Sequence, residues 1–301
     1  MRILITGCHG FIGSSVGHIA AQIGHVVIGV GLASQPEPGW PGCYHQADVV
    51  HSDFATIIER HNPDVILHAA GTASVGASFT APLDDLRAAV MSLANVLDGV
   101  RRSGQKPLVL FPSSAAVYGE PRMLPIREDA PVAPISPYGY HKAAAELFAR
   151  EYCHCFGFDI VIARLFSVYG PRQRRLLVWE LYCEATGTGS EVVLRGTGEE
   201  TRDYLHVDDV ATVLLTIATR RPRGLTVLNV ASGAATRTRD VAQLIVGAAE
   251  VTKLIRALSQ PQTGNPQYWQ ASVESLQGIE PFRFRPLKDG ITECVRAWRC
   301  A

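Results

Sequence analysis

The chain has 301 residues, and its 28 basic and 28 acidic side chains cancel, which speaks against nucleic acid as a main partner. With 47% hydrophobic and 19% charged residues it can bury a large core, so disorder is not expected, and the length suits one large α/β domain or one carrying a smaller lobe. Its longest apolar runs fall short of the roughly 18 residues of a membrane span, and MRILITG enters a strand without the basic start of a signal peptide, so the expectation is a cytoplasmic protein.

In chain order, short runs rich in β-branched residues and leucine alternate with helical stretches: RILIT, HVVIGV, DVILHAA, LVLFPSS and DIVIARLFSVYG. That alternation predicts a doubly wound parallel sheet covered by helices on both faces, with chemistry at the carboxyl ends of the strands. After the first strand, Gly7, Gly10 and Gly13 stand at the mouth of a helix. Glycines there let the backbone turn sharply and approach a diphosphate, whose charge meets free N–H groups; tight packing alone is the other reading. The spacing, GxxGxxG, is shifted from the GxGxxG of ordinary dinucleotide folds. SQPEPGWPG, at 34–42, is a loop.

Ser136 and Pro137 form a helix start, and YGYHKAAAELFAREY continues as helix. On a helix, residues four apart share a face, so Tyr138 lies over Lys142 while Tyr140 points elsewhere. An ammonium beside a phenol lowers a pKa that starts near ~10 and makes the tyrosine a usable acid or base. Many helices carry such a pair merely at their surface. Beyond about residue 167 the pattern loosens, which suggests a second, smaller lobe, with a strand LTVLNVA and a helix from about Thr236 to Val251. The seven cysteines are odd in number and lack CxxC pairs, so neither a disulfide framework nor a zinc site is indicated.

Seven segments together, TGCHGFIG, HAAG, SSAAVYG, SPYGYHKAAAE, RLFSVYGPRQ, GTGEETRDYLHVDDV and PLKDGITECVRAW, give the chain a resemblance over most of its length. It resembles the extended short-chain dehydrogenase/reductase family of nucleotide-sugar epimerases, dehydratases and reductases. The resemblance implies a Rossmann domain over 1–166, with later contributions from about 203–232, and a substrate-binding lobe formed mainly by 167–301. It implies NAD or NADP as cofactor, held by Gly7, Gly10, Phe11, Ile12, Gly13, Asp48, Val49, Ala69, Tyr138 and Lys142. Ser114, Tyr138 and Lys142 take the positions of the family's catalytic triad: Tyr138 exchanges a proton with the sugar oxygen, Ser114 hydrogen-bonds that oxygen, and Lys142 tunes the tyrosine and holds the nicotinamide ribose. Arg202 matches an arginine gripping the sugar nucleotide's diphosphate, and Arg172 and Gln173 are further substrate candidates. His206, in the same motif as Arg202, reads as structural.

Departures from the family pattern carry information. Ala115 and Ala116 stand where the dehydratases of the family place acidic groups, which favours an epimerase needing room for a keto-sugar to turn over. Gly31 stands where NAD-binding members end the second strand with a carboxylate, so the choice between NAD and NADP is open. Asp48 resembles an adenine contact but also suits a loop cap. Ser167 and Ala89 replace asparagines common in the family, which weakens any transfer of sugar contacts. The expectation is a nucleotide-sugar 4-epimerase that assembles as a homodimer. A 4-keto-sugar reductase and a non-catalytic dinucleotide-binding protein are the alternatives.

Overall fold

The computed structural model describes residues 1–258, 264 and 266–300. Its main sheet contains β1 (Arg2–Thr6), β2 (Val26–Gly31), β3 (Cys43–Gln46), β4 (Val65–His68), β5 (Leu108–Ser114) and β6 (Ile160–Leu165). The remaining strands are β7 (Ser167–Tyr169), β8 (Glu191–Leu194), β9 (Thr201–His206), β10 (Leu225–Val230), β11 (Ala235–Arg237) and β12 (Leu254–Ala257). Seven strands form one parallel sheet in the order β10-β6-β5-β4-β1-β2-β3. The doubly wound parallel sheet expected from the alternating runs is therefore present. The order reverses between β1 and β4, and a crevice opens there at the carboxyl ends of the strands.

Successive residues along each strand point to opposite faces, and both faces are apolar. Ile3, Ile5, Val65 and Leu67 pack into one layer with Val16, Ala20, Val213 and Leu214 of the helices Phe11–Gln22 and Val207–Arg220. Leu4, Ile28, Ile66 and Val109 face the other layer, against Phe54, Leu93, Val96 and Ala145. A strand covered on both sides reads as a continuous apolar run, which is why VILH and IVIARL are recognisable as strands.

Two further sheets follow, β11-β9-β7 with three strands and β12-β8 with two. A separate core, including Tyr169, Val178, Leu181, Tyr182, Ile245 and Trp298, holds this part together. LTVLNV does not belong to it: β10 returns to the main sheet beside β6. The helix expected from about Thr236 to Val251 spans Thr238–Ala248, because Ala235–Arg237 pairs with β9 before it. All seven cysteines are free thiols. Among the described residues no helix is long and apolar enough to cross a membrane.

The helix Pro137–Phe156 begins as its sequence predicts. The Ser136 hydroxyl accepts from the Gly139 N–H, Pro137 occupies the first turn, and Gly157 ends the helix at φ +68°. Its Glu146 forms a fully buried ion pair with Arg164 of β6 at 2.7 Å, and accepts from the Ser113 hydroxyl at 2.6 Å. This pair ties the helix carrying Tyr138 to the two strands beneath it. Removing one member leaves the other charge buried without a partner. Glu146→Ala is therefore expected to destabilise the protein by about 3–5 kcal/mol, measured by urea unfolding, whereas removal of an exposed pair such as Arg87–Asp84 costs less than ~1 kcal/mol.

Candidate active site

The crevice is a cleft of about 1030 Å³. That is at the upper end of the range of roughly 300–1,000 Å³ usual for small-molecule sites. One end is formed by the glycine-rich turn after β1. Gly7 has φ +66°, and a Cβ there would lie 2.6 Å from the Ala70 nitrogen. A Cβ on Gly13 would lie 2.4 Å from the Gly7 carbonyl oxygen. Gly7 and Gly13 are thus required by the close folding of the turn on itself and on the segment after β4, while Gly10, Phe11, Ile12 and Ala69 line the cleft. No side chain caps the helix that starts at Phe11, so its first N–H groups remain available. A tight turn with open N–H groups at a helix start is a fitting cradle for a diphosphate.

The far wall comes from the end of β5 and the start of the Pro137–Phe156 helix. Ser114 is the last residue of β5, and its hydroxyl accepts from the Ala116 N–H at 3.1 Å. Tyr138 and Lys142 are both buried and line the cleft with it. Tyr138 is anchored through its backbone N–H, which donates to Ser78 at 3.0 Å. Tyr140, by contrast, is 62% exposed. The structure therefore brings Ser114, Tyr138 and Lys142 together and leaves Tyr140 outside.

The electrostatics of this trio differ from the expectation that lysine lowers the tyrosine pKa. Burial dominates and pushes Tyr138 up to about 12, with a hydrogen bond to Ser114 pulling the other way and the charge of Asp85 adding to the rise. Lys142 is itself desolvated, down to about 8, opposed by Asp85 and Glu146. Its ammonium donates to the Pro112 carbonyl at 2.9 Å and sits 4.9 Å from the centre of the Phe111 ring. In this arrangement burial keeps the phenol protonated, and the lysine's hydrogen bond goes to the Pro112 carbonyl. His68, at the end of β4, is kept neutral by burial, which lowers it to about 3, and bridges Thr6 and Ser92 at 3.0 and 3.1 Å.

At the opposite end, Arg202 lines the cleft with its guanidinium 5.3 Å from the Trp269 ring centre, donating to the Thr201 carbonyl at 2.8 Å. Arg172 also lines it but is already engaged, with the Ser14 hydroxyl and, at 2.9 Å, with Glu37. Gln173 is buried at the wall, its Nε2 donating to the Val168 carbonyl and its Oε1 without a partner among the described residues. Asp48 and Val49 are not among the lining residues. The Asp48 carboxylate accepts from the Val50 N–H at 2.8 Å and closes the turn after β3, as a loop cap does. Gly31 does end β2, but its position is not open: a Cβ would lie 3.1 Å from the Tyr44 hydroxyl, which donates to the Ala33 carbonyl. His206 caps the helix Val207–Arg220 and lies against Arg285, a structural placement.

Several lining residues are not anticipated from the sequence. Glu37, Thr72 and Trp269 come from a loop after β2, a loop after β4 and a segment near the carboxyl terminus. None stands at a motif spacing; only the prolines around Glu37 hint at a stiff loop.

A glycine-rich helix start suited to a dinucleotide, facing a buried Ser-Tyr-Lys group across one cleft, defines the class: a nucleotide-cofactor enzyme of the short-chain dehydrogenase/reductase type. The chain matches the model of the NAD dependent epimerase/dehydratase family over residues 3–231, and it belongs to that family. It is 31% identical to a UDP-glucose 4-epimerase of Azospirillum brasilense over 326 residues, 99% of this chain and 91% of the relative. Its fold matches that of the Thermus thermophilus UDP-glucose 4-epimerase solved in complex with NAD, with a TM-score of 0.90, 27% identity and 100% of both chains covered. MoeE5, solved in complex with UDP-glucose and NAD, matches with a TM-score of 0.89 at 27% identity, over 100% of this chain and 99% of that one.

The buried lysine has a measurable signature. Its folded pKa lies below its unfolded one, so between about pH 8 and 10.5 the unfolded chain binds more protons, and stability rises with pH through that window. Tyr138 acts oppositely and later, its contribution being lost as pH rises from 10 towards 12. Lys142→Met is expected to lose the rise in stability between about pH 8 and 10.5. Urea unfolding of both proteins at about pH 7.5, 9 and 10 checks this.

Proposed function

We propose that the protein is an NAD(P)-dependent nucleotide-diphosphate-sugar epimerase, acting at C4 through a transient keto-sugar. The observation that carries this reading is the meeting of Ser114, Tyr138 and Lys142 at one wall of the cleft, beside two buried alanines. Ala115 and Ala116 supply no carboxylate for eliminating water; Ala116 lines the cleft with a small side chain, and Ala115 packs into the core beneath it.

The bound nicotinamide supplies a hydride acceptor that later returns the hydride. Tyr138, as the phenolate, takes the proton from the sugar hydroxyl as the ketone forms, becomes the phenol, and returns the proton to the same oxygen when the hydride comes back to the opposite face of the ketone. The Ser114 hydroxyl hydrogen-bonds the same oxygen, and the Lys142 ammonium favours the phenolate form in which Tyr138 accepts the proton. Gly7, Gly10 and Gly13 shape the diphosphate cradle, with Phe11, Ile12 and Ala69 beside it. Arg202, with Trp269 against its guanidinium, pairs with the substrate's diphosphate. In this reading residues 1–166, with β9, the following helix and β10, bind the cofactor, and 167–301 mainly bind the substrate. A homodimer is part of the proposal, supported by exposed Tyr140 and Leu147, seven apart on one helix face. A cytoplasmic location is supported by the seven free thiols.

Purified protein incubated with UDP-, GDP-, dTDP- and CDP-sugars is expected to interconvert two epimers with no net change in nicotinamide redox state. Stoichiometric oxidation of NADH or NADPH by a keto-sugar would replace this reading with a reductase. Tyr138→Phe is expected to lower turnover about 100-fold or more while cofactor binding persists, and Tyr140→Phe to leave turnover near wild type. Arg202→Ala is expected to weaken nucleotide-sugar binding by about 2 kcal/mol, read by calorimetry, with cofactor affinity little changed.

A further inference from the structure

The loop after β2 is exposed along residues 32–39, yet it is fixed at several points. Trp40 anchors it: the indole fills the space left by Gly17 and Gly29, where a Cβ would lie 2.4 and 2.7 Å from the ring. His18 Nε2 lies 3.2 Å from the Gly39 carbonyl. Within this loop Glu37 stands between Pro36 and Pro38, whose rings restrict the backbone on both sides.

Glu37 is itself held three times. Its N–H donates to His9 Nε2 at 3.1 Å, its carbonyl accepts from the Trp40 N–H at 3.0 Å, and its carboxylate pairs with Arg172 at 2.9 Å. Half of the side chain remains open, and it lines the cleft beside His9 and Gly10 of the cradle. A flexible loop glutamate would spend its time in water; this one is presented to the cradle at the end nearest β2. That is the end at which a dinucleotide fold reads the adenosine ribose, by a carboxylate that accepts from its hydroxyls and repels a 2′-phosphate. Gly31, where that carboxylate would stand, faces the Tyr44 hydroxyl instead.

We propose that Glu37 replaces the missing strand-end carboxylate, accepts from the adenosine ribose and makes the site prefer NAD to NADP. The inference rests on the reading of the cleft as a dinucleotide site. Arg172 is the cation that could otherwise receive a 2′-phosphate, and the ion pair with Glu37 holds it away from that task.

The test is titration of the full chain with NAD and with NADP separately, following the thermal unfolding midpoint and calorimetric affinity. Wild type is expected to bind NAD at least about tenfold more tightly, and Glu37→Gln to narrow that ratio about tenfold, through weaker NAD and stronger NADP binding. Arg172→Gln, which keeps the carboxylate, is expected to retain the preference for NAD. Wild-type preference for NADP, or a ratio unmoved by Glu37→Gln in a protein that still binds NAD, overturns the inference and leaves the dinucleotide site standing. A collapse of the preference in Arg172→Gln with Glu37→Gln silent overturns it in favour of the arginine. Binding of neither cofactor by wild type overturns both the inference and the site.

Discussion

Everything in the cleft depends on how closely two backbones approach where β1 and β4 diverge. At Gly7 the chain turns with φ +66° against Ala69 and Ala70, and no side chain fits between them. This contact lets the β1 turn and the loop after β4 share one wall. It also places the uncapped start of the Phe11–Gln22 helix at the crevice. The parallel sheet supplies the crevice through its reversal of strand order, but the glycine contact makes it narrow enough to grip a ligand. A larger residue at Gly7 would separate the two walls and enlarge the site without improving it.

The opposite wall is governed by desolvation. Tyr138 and Lys142 sit one helical turn apart as the sequence requires, and proximity alone suggests that the ammonium should favour the phenolate. Burial reverses the outcome, raising the phenol and lowering the ammonium, because each charged form loses its water. The Pro112 carbonyl takes one of the lysine protons in a hydrogen bond and thereby fixes where the ammonium rests. Polar groups of a bound ligand would supply what water no longer does. In this geometry burial holds the phenol protonated and weakens the ammonium, against the pairing that their spacing suggests.

Much of this is legible in the sequence. The strands of the main sheet are readable because burial on both faces leaves runs such as VILH and IVIARL with almost nothing polar. Ser136 and Pro137 mark the start of the helix that carries Tyr138 by local chemistry, so its register and hence the placing of Tyr138 and Lys142 on one face follow. Less legible is whatever depends on chain segments meeting from far apart. Trp269, for example, reaches Arg202 from a segment with no motif of its own. Asp48 is read by position as an adenine contact, and the structure adds what position does not show: one of its carboxylate oxygens accepts from its own turn, two residues on.

The basic run after β7 makes the same point about charge. Four consecutive polar residues, Arg172, Gln173, Arg174 and Arg175, suggest either a solvated face or an anion site, and spacing cannot choose. The structure divides them. Arg172 is drawn to the Ser14 hydroxyl and Glu37, Gln173 is buried, and Arg174 lies over Trp179 at 4.8 Å from the ring centre. Because Arg172 bridges the glycine-turn helix and the β2 loop, the segment following β7 becomes part of the cofactor end of the cleft as well as the start of the other. Arg172 thus joins three chain segments, the glycine-turn helix, the β2 loop and the run after β7, at one wall of the cleft.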